Sequence, residues 1–213
     1  MKLQISFDSL SLQDDIEIAK KIVHFADILE IGTLPILKYG AAAIEQFRAA
    51  FPQAVLFADT KIIDKGRDIA SLFAQAGADW ISVMAGTHKD VITGVCSKAH
   101  DMGKKVMLDM LDASSPGQKA LEAKNLGVDA IMFHQCFTDN DSALFLEEWS
   151  MVQGNSSLPI FISVKAFSDS SSSNNSIDTL KSLRPYALVI GSPITDAIDS
   201  ISQAQFFHDV CKK

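Results

Sequence analysis

Ala76-Gly77-Ala78-Asp79-Trp80-Ile81-Ser82-Val83-Met84 contains the join from which the fold is read. Gly77 falls just past a segment with helical periodicity, where a left-handed C-cap is wanted, and a short apolar, β-prone run comes at once after it. The same join recurs at Leu126-Gly127-Val128-Asp129 ahead of Ala130. On both sides of these joins, runs of strand character alternate with amphipathic stretches. The strands are expected at Leu3–Phe7, Ile28–Ile31, Val55–Asp59, Trp80–Met84, Lys105–Asp109, Ala130–Phe133, Ile160–Val164 and Ala187–Ile190. Helical spacing marks Asp14–Val23, Ala41–Ala50, Arg67–Ala76 and Val91–Met102. Continuously apolar strands imply burial on both faces, as in a parallel sheet covered by helices. A doubly wound sheet would carry fewer units and a Gly-rich first turn, and no G-x-G-x-x-G follows Leu3–Phe7. Eight strand–helix units in 213 residues therefore predict a single (β/α)8 barrel spanning residues 1–213.

Composition narrows the function. Hydrophobic residues make up 47% and charged residues 21%, ordinary globular values. A net charge of −7 argues against a nucleic-acid partner, which needs a one-sided surplus of Lys and Arg. It leaves room for a small anionic substrate, whose site needs only a few local donors. No apolar run approaches the roughly 20 residues of a membrane span, and the opening Met1-Lys2-Leu3-Gln4-Ile5 reads as a strand, not a signal. Cys96, Cys136 and Cys211 are odd in number and far apart, suggesting free thiols in a reducing compartment. A cytoplasmic protein is expected. The polar stretch 168–176, rich in Ser and Asn, is read as a loop on the catalytic face or as a plain solvated loop.

In a barrel of this kind the chemistry sits where strands end. Asp8 ends the first strand, Glu30 lies at the end of the second, and Asp59 and Lys61 follow the third. Asp109 ends the fifth, His134 the sixth, and Gly191-Ser192 close the eighth. Any one acid here could be a helix N-cap. Four acids, a lysine and a histidine at the same end point instead to a shared site. Asp59 and Lys61 are two apart, so an extended backbone aims them the same way. A carboxylate beside an ammonium keeps both charged, and with Glu30 the set offers hard oxygen ligands suited to magnesium.

Asp59-x-Lys61-x-x-Asp64, preceded by Asp8 and by Glu30-Ile31-Gly32-Thr33, resembles the signature of the orotidine-monophosphate decarboxylase suprafamily. More narrowly, it resembles the group containing 3-hexulose-6-phosphate synthase and 3-keto-L-gulonate-6-phosphate decarboxylase. The similarity extends over nearly the whole chain, through Val106-Met107-Leu108-Asp109-Met110 and Val189-Ile190-Gly191-Ser192-Pro193-Ile194-Thr195. The resemblance implies a Mg2+-dependent enzyme acting on a sugar phosphate through a 1,2-enediolate. It implies that Glu30 and Asp59 hold the metal, that Lys61 stabilises the enediolate oxygen, and that Asp8 orients Lys61 or a substrate hydroxyl. His134 becomes the proton carrier, since imidazoles titrate near neutral pH, and Asp109 meets the reacting end of the substrate. Asp64 is implied to reach a neighbouring subunit's site, giving a homodimer with shared active sites.

The two sister activities divide on a few residues. The decarboxylase shows H-R-x-R-D after the sixth strand and a Glu ending the fifth. This chain has His134-Gln135-Cys136-Phe137-Thr138-Asp139 and Asp109, which favour the aldolase joining ribulose 5-phosphate to formaldehyde. The decarboxylase, or a relative acting on another sugar phosphate, is the alternative; a non-catalytic binding barrel is a second. The usual A-G-G-I phosphate element after the seventh strand is replaced by Ser163-Val164-Lys165-Ala166-Phe167. Phosphate recognition is then left to Gly191 and Ser192, with Lys165 as a charged substitute for lost backbone donors.

Overall fold

The computed structural model describes residues 1–134, 142–164 and 173–212. Eight parallel strands close into a barrel in chain order: β1 (Lys2–Phe7), β2 (Ile28–Ile31), β3 (Leu56–Ile62), β4 (Trp80–Met84), β5 (Lys105–Asp109), β6 (Ala130–His134), β7 (Ile160–Val164) and β8 (Ala187–Ile190). Between and after them run α1 (Leu12–Ile22), α2 (Thr33–Tyr39), α3 (Ala41–Ala50), α4 (Gly66–Gln75), α5 (Lys89–Asp101), α6 (Pro116–Leu126), α7 (Ser142–Asn155), α8 (Ser173–Leu183), α9 (Ser192–Thr195) and α10 (Ser200–Lys212). The expected barrel is the observed one. None of the helices is long and apolar enough to cross a membrane among the described residues.

Strand parity divides the core in two. One set of alternate residues, among them Leu3, Ile5, Leu29, Ile31, Ile81, Val83, Val106 and Leu108, packs outward against the helices. The other set forms a separate cluster inside the barrel: Ile28, Phe57, Trp80, Met107, Ala130, Met132, Phe161, Ala187 and Val189. The anticipated glycine caps are present, with Gly77 at φ +107° and Gly127 at φ +89°. The aspartate after each has a further task. Asp79 Oδ2 accepts the N–H of Leu56 at 2.9 Å, and Asp129 Oδ2 that of Val106 at 2.7 Å. Asp27 does the same for Leu3 at 2.9 Å. Acids at the entries of β2, β4 and β6 thus each tie down a backbone donor in the opening residues of β1, β3 and β5. Arg48 reinforces one of these clamps, reaching Asp79 at 2.6 Å and the carbonyl of Gly77 at 2.8 Å.

Two expectations need correction. Residues 173–176, read as part of a polar loop, lie in α8. Ser and Asn favour helix starts, and the half-buried Ile177 and fully buried Leu180 anchor the helix to the core. The rest of that stretch, 168–172, lies outside the described residues. The third strand does not stop at Asp59 but continues to Ile62, through an irregular register.

The clamps lie at the end of the barrel opposite the strand C-termini. Asp79→Ala should lower the unfolding free energy by about 2 kcal/mol, because it strands the buried N–H of Leu56 and the cations of Arg48 and Lys104. It should leave turnover per folded molecule unchanged; urea unfolding beside steady-state rates checks both.

Candidate active site

At the C-terminal end of the strands the inward-facing positions turn polar. Gln4 and Ser6 of β1, Glu30 of β2, Asp59 of β3, Ser82 of β4, Asp109 of β5, His134 of β6 and Ser163 of β7 share the parity of the inner apolar cluster. Parity therefore brings polar groups from seven of the eight strands to one end of the barrel. A cavity of about 380 Å³ opens there, and Ser6, Asp8, Glu30, Asp59, Lys61 and His134 are among its walls, together with Ser192 and with Gly191 beside Ser6. A second cavity, of about 420 Å³, lies at the opposite end between Ile28, Phe51, Pro52 and Val55, with Asp27 as its one charged wall residue. It lacks convergent polar groups, so the cavity at the strand C-termini is the candidate site.

Lys61 is the centre of the cluster. Its Nζ lies 3.0 Å from Asp59 Oδ2 and 2.6 Å from Asp109 Oδ2. The other oxygen of Asp109 meets His134 Nε2 at 2.7 Å. Asp59 is held in turn by Thr33 Oγ1, which donates to Oδ2 at 2.7 Å, and by Ser82 Oγ, which donates to Oδ1 at 2.9 Å. Glu30 accepts from Gln4 Nε2 at 2.5 Å and from Ser6 Oγ at 2.8 Å. His134 Nδ1 and Gln4 Oε1 are buried without a hydrogen-bond partner among the described residues. Buried polar atoms are normally paired, so such gaps mark a place shaped for something besides folding.

Burial and charge set the ionisation. Burial works against the Lys61 charge, but Asp59 and Asp109 outweigh it and hold the ammonium above the ordinary lysine range. Burial would likewise raise Asp109, yet the hydrogen bond and charge of His134, with the charge of Lys61, keep it well below the usual carboxylate range. Glu30 goes the other way. Burial first, and then the negative charge of Asp59, push it up to about 8, despite hydrogen bonds from Gln4 and Ser6.

The remaining expected residues fall around this core. Asp8 lies exposed on the rim, where its Oδ1 accepts the N–H of Leu34 at 2.7 Å and so caps α2. Gly32 is needed beside it, because a Cβ there would collide with that same oxygen. Asp64 is exposed on the turn after β3 and does not line the cavity; its Oδ1 accepts the N–H of Lys65 at 2.7 Å. Gly191 stands at the head of α9, followed by Ser192. Lys165 lies outside the described residues, as does the segment 135–141. Gln4, Ser6, Thr33 and Ser82 had no role assigned from sequence. Parity within each strand was the signal for three of them, since a polar residue in an apolar strand, in step with the inner apolar cluster, points into the barrel. The other histidines serve elsewhere: His100 meets Asp129 at 2.9 Å and His208 the carbonyl of Phe25 at 2.8 Å.

Two carboxylates and surrounding oxygens fit a small hard cation. No group of three or more His, Cys, Asp or Glu side chains among the described residues is arranged as a metal cage. Magnesium is commonly bound by one or two carboxylates, with water and substrate completing its shell, and Glu30 and Asp59 are such a pair. The high pKa of Glu30 marks a spot short of positive charge.

Comparison with known proteins gives a consistent picture. The family described as "Orotidine 5'-phosphate decarboxylase / HUMPS family" matches residues 1–153. The 3-hexulose-6-phosphate synthase of Bacillus subtilis (strain 168) is 29% identical over 208 residues, covering 96% of this chain and 95% of the relative. The solved 3-hexulose-6-phosphate synthase from Salmonella typhimurium superposes with a TM-score of 0.85 at 28% identity, over 99% of this chain and 98% of its own. KGPDC from Streptococcus mutans, solved in complex with a sugar phosphate, shares the fold with a TM-score of 0.82 at 22% identity, over 99% and 97% of the two chains.

Glu30 yields a pH prediction. Above the ordinary value near 4.5 the unfolded chain loses this proton, while the folded protein keeps it until about 8. The folded state thus binds more protons across that window, so Glu30 costs stability as pH rises through it. In the presence of chelator, Glu30→Gln should match the parent near pH 5 and exceed it by roughly 3 kcal/mol near pH 8. Urea unfolding across the window reads the difference, and parallel pH profiles would contradict the assignment.

Proposed function

Because the chain belongs to the Orotidine 5'-phosphate decarboxylase / HUMPS family, we propose that it is a lyase of the 3-hexulose-6-phosphate synthase type, joining ribulose 5-phosphate and formaldehyde reversibly. The observation that carries this reading is the Lys61 ammonium held between Asp59 and Asp109, with His134 on the far oxygen of Asp109. The full-length likeness to synthases supports the substrate pair. Asp109, where the decarboxylase has the longer Glu, favours the aldol over the decarboxylation reading.

The reaction needs a proton removed from C1 of the ketose and its electrons kept on an enediolate. A fixed positive charge where the oxyanion develops stabilises it without reorganisation, and in a sheltered site this contributes several kcal/mol. Lys61 supplies that charge, and its two carboxylates keep it ionised and aimed. Asp109 fixes the His134 proton at Nε2, which leaves Nδ1 as the basic atom of the ring. His134 takes the C1 proton; C1 then bonds to the formaldehyde carbon, and the new alkoxide recovers that proton from the ring. Glu30 and Asp59 would hold Mg2+, which when bound adds Lewis-acid stabilisation of the same oxygens. Asp8 orients the sugar hydroxyls from the rim. Gly191 and Ser192, with Lys165, take the phosphate.

A homodimer with shared sites is the reading that suits Asp64, which is exposed and outside its own cavity. Leu10, Leu34, Leu37 and Ile63, which follow β1, β2 and β3, are 58%, 43%, 77% and 66% exposed, apolar side chains that a second copy would cover.

Purified protein should consume formaldehyde in the presence of ribulose 5-phosphate and lose that activity with chelator. Lys61→Ala should lower kcat by about 10³-fold or more while remaining folded. Absence of reaction in both directions, in folded protein supplied with magnesium, would reject the reading. For the dimer, mixing inactive Lys61→Ala with inactive Asp64→Ala chains should restore up to about a quarter of wild-type activity, because random pairing builds one intact site in half the dimers. No recovery after demonstrated subunit exchange would reject shared sites.

A further inference from the structure

Lys61 stands where the barrel wall is irregular. Ala58 of β3 pairs with Ile81 of β4 and Ile62 pairs with Val83, so Asp59, Thr60 and Lys61 face a single opposite residue, Ser82. Bulges leave ladder groups unpaired and re-aim side chains. Lys61 also has φ +44°, a left-handed backbone that strains any residue bearing a Cβ. Something must hold it there.

Ser82 is fully buried and meets each residue of the bulge. Its Oγ accepts the N–H of Lys61 at 2.9 Å and donates to Asp59 Oδ1 at 2.9 Å. Its carbonyl accepts from Thr60 Oγ1 at 2.7 Å. A hydroxyl can satisfy a donor and an acceptor together because it carries one O–H and two lone pairs. Alanine can satisfy neither. Ser82 does not line the cavity, so any influence on the reaction passes through its neighbours.

We infer that Ser82 is a positioning residue: it pins the left-handed backbone of Lys61 to the carboxylate of Asp59, and so delivers the ammonium between Asp59 and Asp109. The inference rests on the role assigned to Lys61 in the proposed aldol reaction. Displacing a reacting group by about 1 Å can cost on the order of 100-fold in rate.

The test combines kinetics with crystal structures of wild type, Ser82→Ala and Ser82→Cys. Ser82→Ala should lower kcat by roughly 30- to 300-fold, with KM for ribulose 5-phosphate within about 3-fold. Its crystal structure should show Lys61 out of the left-handed region, or its Nζ shifted by about 1 Å or more from Asp109. Ser82→Cys, near in size but a weak donor and acceptor, should fall between the two. A kcat within about 3-fold of wild type per folded molecule, or an unmoved Lys61, would overturn the inference. If Ser82→Ala does not fold, a wild-type kcat in Ser82→Cys overturns it alone. If wild type makes no hexulose phosphate, the functional reading fails, and the position of Lys61 in the variant crystals still decides the case for Ser82.

Discussion

Three carboxylates, Glu30, Asp59 and Asp109, gather around one ammonium at the C-terminal mouth of a barrel, and none of the three acids is more than 8% exposed. Charge at that depth must be compensated, because the surrounding dielectric is low and a like-charged neighbour disfavours ionisation. Lys61 compensates Asp59 and Asp109 directly, while Glu30 keeps its proton to about 8. Full ionisation would set three negative charges against one ammonium, a deficit of two positive charges. A divalent cation seated between Glu30 and Asp59 would supply them, and this is the physical ground for the proposed magnesium dependence.

The barrel separates this demand from the business of folding. At the strand entries, Asp27, Asp79 and Asp129 saturate backbone donors and are matched by Lys212, by Arg48 with Lys104, and by His100. At the strand exits, His134 Nδ1 and Gln4 Oε1 go unpaired among the described residues, and Lys61 takes a strained backbone. Backbone strain at Lys61 and these two unpaired groups thus lie where chemistry is expected, while the clamps at the other end serve stability.

Most of the fold was legible because apolar runs and glycine caps mark strand–helix joins directly; β2, β4, β5, β7 and β8 begin and end where their sequence patterns do. Glu30, Asp59 and Asp109 stood out because each is a charged residue at or near the end of an apolar run. The features that stayed hidden depend on register. The likeness of Asp59 and Lys61 in direction was inferred from extended backbone, but they meet across a bulge, and no periodicity announces one. Ser82 is a serine in an apolar strand until β3 is laid against it. Asp8 reads as a site acid from its place in the chain, and the structure adds a capping contact to Leu34 that its spacing does not reveal. α2 directly after β2 was also missed, since Thr33–Tyr39 is too short to establish a helical period.

The central claim is that Lys61 stabilises an enediolate, and the most direct measurement tracks the proton that must leave to form it. Ribulose 5-phosphate incubated with the enzyme in deuterium oxide, without formaldehyde, should exchange a C1 hydrogen for deuterium, as read by proton NMR. The exchange should vanish in Lys61→Ala. No exchange by an enzyme that turns over, or exchange undiminished when Lys61 is replaced, would contradict the account.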